Sequence, residues 1–254
     1  MYKRQICDRR GDLICADWGY AYLASTNGSG KSVSLGDYYG MKESFVKNGT
    51  LATTKTKWTT RKEEDNPAMA YVHNLGSVSN SGKEGFMMLG YDDIYSIEYM
   101  YEKRMGYWKH DGKVTIFDAF EKLRDNYQAI MERCRAFDEL IYDDAEKAGG
   151  KKYAEICSAS YRQVISAHKL FTDKEGNLLW FSKENNSNGC VNTVDLTYPS
   201  APLFLVYNPE LQKAMMTSIF EYSASGRWNK PFPAHDLGTY PCLLYTSPSP
   251  RDAH

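Results

Sequence analysis

The spacing of apolar residues changes at about Val114, and this change constrains the fold more than any other feature of the chain. From residue 117 onward, large residues recur every three or four positions, which is the spacing of one helix face. Gly149 and Gly150 then follow, as is common at a helix C-terminus. The pattern predicts a long connecting helix, from about 117 to 147, within residues 114–150. The stripe consists of Phe117, Phe120, Arg124, Tyr127, Met131, Cys134, Phe137 and Ile141.

Before Val114 the chain is divided into short apolar runs separated by Gly, Asn and Ser, a pattern typical of β-strands joined by turns. Several short strands of this kind predict an antiparallel β-sandwich over residues 1–113. The runs lie at residues 13–16, 20–24, 68–75, 85–91 and 94–101.

After residue 150 the apolar spacing predicts more helices. A stripe over residues 153–171 predicts a second helix and includes His168, which we therefore expect to be packed rather than catalytic. Residues 178–181 form an apolar extended segment, and a polar loop follows over residues 182–197. A third helix is predicted over residues 201–223, opened by Pro199 and Pro202 and interrupted at Asn208-Pro209. The fold class is therefore a β + α multidomain protein.

Charge and composition exclude several function classes. The 31 Lys and Arg residues are balanced by 32 Asp and Glu residues, so no basic surface for nucleic acid is predicted. No apolar run approaches the ~20 residues that a membrane-spanning helix needs, and Met1 is not followed by the apolar segment of a signal peptide. The six cysteines lack metal-binding spacing, so we expect free thiols, no metal site and no cofactor.

The last residues have an unusual sequence. Residues 242–252 read CLLYTSPSPRD, the translation of one frame of a widely used sequencing adapter. We therefore expect residues 242–254 to be an artefactual, exposed and poorly packed tail on a truncated chain. The alternative is a natural Ser/Pro-rich disordered tail.

Several motifs resemble the glutaminase A family. In the helical part they are SKEN (182–185), SNG (187–189), TVDLTYPSAP (193–202) and HDLGTYP (235–241). Upstream they are ICDRRGD (6–12), GYDDIYS (90–96) and MERCRAFD (131–138). The resemblance implies a secreted hydrolase, extracellular or periplasmic, that releases ammonia from glutamine. It also implies that residues 151–241 begin a six-helical-hairpin domain, an α/α toroid, whose truncation would leave this chain inactive by itself.

The same resemblance focuses attention on three acids in the loops of the helical part: Glu184, Asp195 and Asp236. Hydrolysis needs a proton donor and a base or nucleophile, so these are the candidate catalytic residues. The neighbouring polar and aromatic residues are candidate substrate-binding groups: Asn185, Tyr198, His235 and Tyr240. A small-molecule or glycan substrate is the expected partner, and the sequence leaves the oligomeric state open.

Each candidate also has a structural interpretation. Asp195 could cap the helix opened by Pro199, Asp236 could cap a following helix, and Glu184 could form an exposed ion pair with Lys183. His235 and Asp236 are adjacent in sequence, and neighbours in an extended chain point in opposite directions. Two other functions stay open: a glycoside hydrolase, since helical toroids often carry paired acids, and a non-catalytic carbohydrate-binding module.

Overall fold

The computed structural model describes residues 18–26, 30–51, 66–184 and 189–243, which form two compact units. The units divide between Asp93 and Ile94, earlier in the chain than the change of apolar spacing at Val114. The predicted strand at residues 13–16 lies outside the described residues.

The first unit combines two antiparallel strand pairs with one helix. Its elements are β1 (Tyr20–Ser25), β2 (Lys31–Asp37), α1 (Tyr38–Asn48), β3 (Pro67–His73) and β4 (Met87–Asp92). β1 pairs with β4, and β2 pairs with β3. The antiparallel strands were expected, whereas β2 and α1 were missed; the arrangement as a sandwich stays a prediction.

Local side chains explain where α1 begins and ends. The Asp37 carboxylate accepts a hydrogen bond from the backbone N–H of Gly40 at 2.8 Å, which caps the helix N-terminus. At the other end, Gly49 adopts a φ of 68°, and its N–H donates to the Phe45 carbonyl. This left-handed conformation favours glycine and closes the helix.

The second unit begins with a small three-stranded sheet. β5 (Ile97–Tyr99) is central, antiparallel to β6 (Glu102–Arg104) and parallel to β9 (Cys242–Leu243). The predicted strand at 94–101 is therefore shorter than expected. The short 3₁₀ helix Tyr107–Lys109 follows β6.

The predicted long helix is divided into α2 (Ile116–Asp125) and α3 (Tyr127–Gly149). Asn126, at the junction, has φ −112° and ψ 13°, and its side-chain amide donates to the Lys122 carbonyl at 2.8 Å. An Asn side chain that bonds a helix carbonyl competes with the backbone ladder. The spacing of apolar residues continues across this break, which is why periodicity alone missed it.

The second predicted helix also ends early. α4 spans Lys151–Ser166, and β7 (His168–Thr172) then pairs with β8 (Leu178–Ser182) as an antiparallel hairpin. The turn is closed by Asp173, whose carboxylate accepts from the Asn177 backbone N–H at 2.7 Å, with Gly176 at φ 87°. The apolar residues at the end of the stripe thus belong to a strand. His168 stacks on Trp180 with ring centroids 4.9 Å apart, as expected for a packed residue.

The third predicted helix is split where expected, into α5 (Val194–Tyr207) and α6 (Pro209–Ala224). However, α5 begins earlier than predicted, so Pro199 and Pro202 lie inside it. Each proline lacks the N–H that would continue the hydrogen-bond ladder. The hydroxyl of Ser200, which lies between the prolines in sequence, shares its proton between the Leu196 and Thr197 carbonyls at 2.8 and 3.1 Å. α5 and α6 pack with the hairpin around a core of Trp180, Phe204, Ala214 and Met215. Closure of the helices into a toroid stays a prediction.

The expected exposure of the chain from residue 242 onward is wrong for its first two residues. Cys242 is 4% and Leu243 2% exposed, because β9 adds to the edge of β5. The Glu98 N–H also donates to the Pro241 carbonyl at 2.8 Å, which brings β9 to that edge. Cys242 is disulfide-bonded, contrary to the expected free thiol, whereas Cys134, Cys157 and Cys190 form no disulfide. Residues 244–254 lie outside the described residues, and the origin of the tail stays a prediction.

Candidate functional site

Two loops of the second unit run side by side and hold the candidate site. One loop joins β8 to α5 and the other follows α6. The Val191 N–H donates to the Gly238 carbonyl at 3.0 Å, and the Leu237 N–H donates back to the Val191 carbonyl at 2.9 Å. The Val194 N–H donates to the His235 carbonyl at 2.9 Å. These bonds bring the start of α5 against His235.

His235 lies between two of the predicted acids. Its Nδ1 is 3.0 Å from Asp236 Oδ2, and its Nε2 is 3.6 Å from Asp195 Oδ2. Because a carboxylate can only accept, Nδ1 carries the proton of the first contact. The second distance exceeds that of a normal hydrogen bond and is an ion-pair distance. The backbone bends at His235, so the expectation that the neighbouring side chains point apart is wrong here.

The two acids have different environments. The Asp236 side chain is 1% exposed, and its Oδ1 accepts a hydrogen bond from the Gly238 N–H at 2.7 Å. The Asp195 side chain is 71% exposed and lies in the first turn of α5, where the helix dipole favours a negative charge. Thr193, not Asp195, is the N-cap residue of α5. The hydrogen bond to Asp236 is the main cause that raises the pKa of His235, against the effect of partial burial.

The structure describes three of the four remaining predicted residues. Glu184 is half-buried; its N–H donates to the Cys190 carbonyl at 3.0 Å, and its carbonyl accepts from Lys183 Nζ at 2.9 Å. Tyr240 is buried with the Lys183 ammonium over its ring, 5.6 Å from the centroid. Tyr198 is 82% exposed on α5, and Asn185 lies outside the described residues. The structure thus joins Asp195, His235 and Asp236 directly.

Asn192 is a supporting residue that sequence reasoning missed. Its side-chain oxygen accepts from the Ser182 N–H at 2.8 Å, and its amide donates to the Ser218 hydroxyl at 2.8 Å. It is buried and has a φ of 50°, a conformation that Asn adopts more readily than most residues. Asn192 therefore ties β8 and α6 to the loop that precedes α5. Its place among the Asn and Ser residues of a polar loop was the only available signal.

Elsewhere in the described part of the chain, neither the main cleft nor the arrangement of acidic, His and Cys side chains offers a second site of this kind. A cleft of about 900 Å³ lies in the first unit, but its described lining contains no His, Cys, Asp or Glu for acid–base chemistry. Within the described ranges, no group of three or more His, Cys, Asp or Glu side chains is arranged to hold a metal ion. No helix in the described part of the chain is long and apolar enough to cross a membrane.

Comparison with known proteins matches almost the whole chain. Residues 150–247 match the family model of the Glutaminase A six helical-hairpin domain, and residues 5–144 match a domain of unknown function, DUF5127. The chain is 32% identical over 230 residues to Glutaminase A of Aspergillus oryzae, covering 89% of the chain and 33% of that protein. It is 32% identical over 111 residues to a "Probable glutaminase" of Arthroderma benhamiae, covering 44% and 13% of the two lengths. No solved structure matches.

Proposed function

Because the chain belongs to the glutaminase A family, we propose that it is part of a hydrolase that converts glutamine to glutamate and ammonia. The observation that carries the proposal is the contact of His235 with a buried carboxylate on one side and an exposed carboxylate on the other. The same family membership supports the proposal that the protein acts outside the cytoplasm, in the extracellular space or the periplasm.

In the proposed reaction His235 transfers the protons. Asp236 accepts a hydrogen bond from Nδ1–H, so the neutral ring keeps its proton on Nδ1 and has a lone pair on Nε2. Nε2 takes a proton from a water molecule while the water oxygen adds to the carboxamide carbon. The imidazolium then gives that proton to the amide nitrogen, the C–N bond breaks, and ammonia leaves from glutamate.

The two acids have separate roles in this proposal. Asp236 is buried beneath His235, so it orients the ring and stabilises the imidazolium without touching substrate. Asp195 is exposed on the Nε2 side, where its carboxylate binds the water or a positively charged part of the substrate. This differs from the sequence-based hypothesis, in which Asp195 or Asp236 itself was the acid or base.

The same geometry disfavours a glycoside hydrolase. That chemistry uses two carboxyl groups that face the scissile bond across an open cleft. Asp236 has both oxygens engaged, by His235 and by the Gly238 N–H, and it is almost fully buried. It is therefore unsuited to act as one of two solvent-facing acids. The substrate-binding residues proposed from sequence, Asn185, Tyr198 and Tyr240, remain candidates.

The decisive assay measures ammonia release from glutamine, with asparagine and a glycan panel as competing substrates. It is run on this chain and on full-length Glutaminase A of Aspergillus oryzae, substituted at the aligned positions. His235→Gln and Asp236→Asn are expected to lower kcat by roughly 10²–10⁴. Asp138→Asn, which removes an exposed ion pair with Arg162, is the matched control and is expected to leave kcat unchanged. Full activity of both His235 and Asp236 variants would refute the proposal.

A second measurement follows His235 itself by NMR titration and needs no turnover. Asp236→Asn is expected to lower the His235 pKa toward its ordinary value of about 6.5, and more than Asp195→Asn does, since Asp236 is the larger cause. Activity that depends on neutral Nε2 should rise with pH through the raised pKa. If Asp236→Asn leaves the His235 pKa unchanged, Asp236 does not orient the ring.

A further inference from the structure

An aromatic loop with two cations leads from α6 into the candidate site. The Trp228 indole N–H donates to the Phe232 carbonyl, and the two rings meet edge to face with centroids 6.0 Å apart. Lys230 Nζ lies 5.6 Å from the centroids of both rings. These contacts close a five-residue turn that brings the two rings and the ammonium together.

The surface of this loop is exposed and positively charged. Phe232 is 46% exposed, and Lys230 is also exposed. Arg227 follows Ser225, the C-cap of α6, by two residues, and its guanidinium carbon lies 5.8 Å from the centroid of the Tyr101 ring. Within the described ranges neither Lys230 nor Arg227 forms an ion pair with a carboxylate. The loop therefore offers ring faces and cations whose charge is not neutralised locally.

The short chain between Phe232 and His235 sets an upper limit on the distance from the loop to the site. Phe232 precedes His235 by three residues, and an extended chain spans at most ~3.6 Å per residue. The two Cα atoms are therefore within about 11 Å, which is the length of a short peptide. Ala234 and Asp236 are both buried, which anchors the chain at this end of the loop.

We propose that the loop formed by residues 227–232 binds the carboxylate end of a glutamine-containing peptide, so that the substrates include short peptides in which an apolar C-terminal residue follows glutamine. The peptide carboxylate pairs with Lys230, and the apolar side chain packs on Trp228 and Phe232. This inference rests on the proposed glutamine hydrolysis at His235. It assigns the loop a role in substrate choice rather than in proton transfer.

The test measures binding to the 254-residue chain through the NMR signal of the Trp228 indole N–H. The probes are the dipeptide Gln-Phe, its C-terminal amide, free glutamine and cellopentaose. Gln-Phe is expected to shift the signal and to bind about two- to five-fold more tightly than its amide, as for an exposed ion pair. Lys230→Gln should abolish that preference. A change in tryptophan fluorescence on addition of Gln-Phe should be lost in the Trp228→Phe variant.

Matched controls separate the loop from general surface effects. Lys213→Gln removes an exposed ammonium on α6 that pairs with Glu210, and Phe220→Ala removes an exposed α6 ring. Both are expected to bind Gln-Phe as the unmodified chain does. Equal affinities for Gln-Phe and its amide, an unchanged preference in Lys230→Gln, or a response to cellopentaose alone would overturn the inference.

Turnover distinguishes this inference from the function on which it rests. If Gln-Phe binds at Trp228 but full-length Glutaminase A of Aspergillus oryzae keeps its full ammonia release when the positions aligned with His235 and Asp236 are substituted, the hydrolysis proposal fails while the peptide-binding loop stands. If glutamine and Gln-Phe are hydrolysed with unchanged kcat/KM in Lys230→Gln, the hydrolysis stands and the loop inference fails. The expected result in Lys230→Gln is a loss of about two- to five-fold in kcat/KM for Gln-Phe and none for free glutamine.

Discussion

Replacement of Asn192 by Ala is expected to destabilise the second unit strongly. Asn192 is almost fully buried, and its side chain connects the Ser182 N–H at the end of β8 to the Ser218 hydroxyl of α6. It is also the residue before the α5 N-cap, with a φ of 50°. The substitution removes these two short hydrogen bonds and two longer ones of 3.4 Å, to the Ser182 hydroxyl and the Met215 carbonyl, and leaves an alanine in a left-handed conformation.

The expected magnitude follows from these contacts. An unpaired buried N–H at Ser182 costs about 1–3 kcal/mol, and loss of the Ser218 contact adds about 1 kcal/mol. The Ser218 hydroxyl keeps its bond to the Met215 carbonyl at 3.3 Å, which limits the second contribution. Alanine at positive φ costs about 1 kcal/mol more. The total of about 3–5 kcal/mol is a large part of a typical domain stability of ~5–15 kcal/mol.

The assay is urea unfolding at pH 7, followed by circular dichroism, with the free energy of unfolding compared between variants. Asn192→Gly separates the two effects, because it loses the same hydrogen bonds but accommodates the backbone, and should be less destabilised by about 1 kcal/mol. Asn177→Ala is the matched control, since its side chain bonds Asp173 in an exposed turn, and should cost under about 1 kcal/mol. If Asn192→Ala lowers the free energy of unfolding by less than about 1 kcal/mol, the Asn192 side chain does not stabilise the contact between β8 and α6.

Two further predictions concern stability. Thr115→Ala removes the capping box of α2, in which Thr115 and Asp118 exchange hydrogen bonds, and should cost about 1 kcal/mol in the same urea assay; an unchanged midpoint would refute it. Burial lowers the pKa of His168 in the folded chain. At a pH below the ordinary histidine pKa of about 6.5, the His168 imidazole therefore binds a proton more readily in the unfolded chain than in the folded chain. The free energy of unfolding consequently falls as the pH is lowered through that value. His168→Phe should therefore lose less stability than the unmodified chain between pH 8 and pH 5, and an equal or larger loss would contradict the assignment.

Local sequence was sufficient for the parts of the fold that local forces specify. The apolar stripe in residues 117–141 predicted helix, and the break at Asn208-Pro209 marked the junction of α5 and α6, because proline lacks the N–H that continues a helix. The family motifs identified the family and focused attention on Asp195, His235 and Asp236. The balance of acidic and basic residues, by contrast, argued against a nucleic-acid surface but indicated no functional site.

Tertiary structure decided how these segments end and which of them meet. The second predicted helix ends before β7 because residues 168–172 pair with β8 as a strand. The apolar spacing of residues 153–171 alone cannot reveal this partner. Cys242 and Leu243 were buried because β5 offered an unpaired edge. His235 contacts both acids because the loop at 189–193 pairs with the loop at 237–239 and the backbone bends between them. Periodicity shows only which face of a helix or strand is apolar. The contacts described above join residues that are far apart in sequence. Folding alone brings such residues together, so the spacing within one segment cannot identify them.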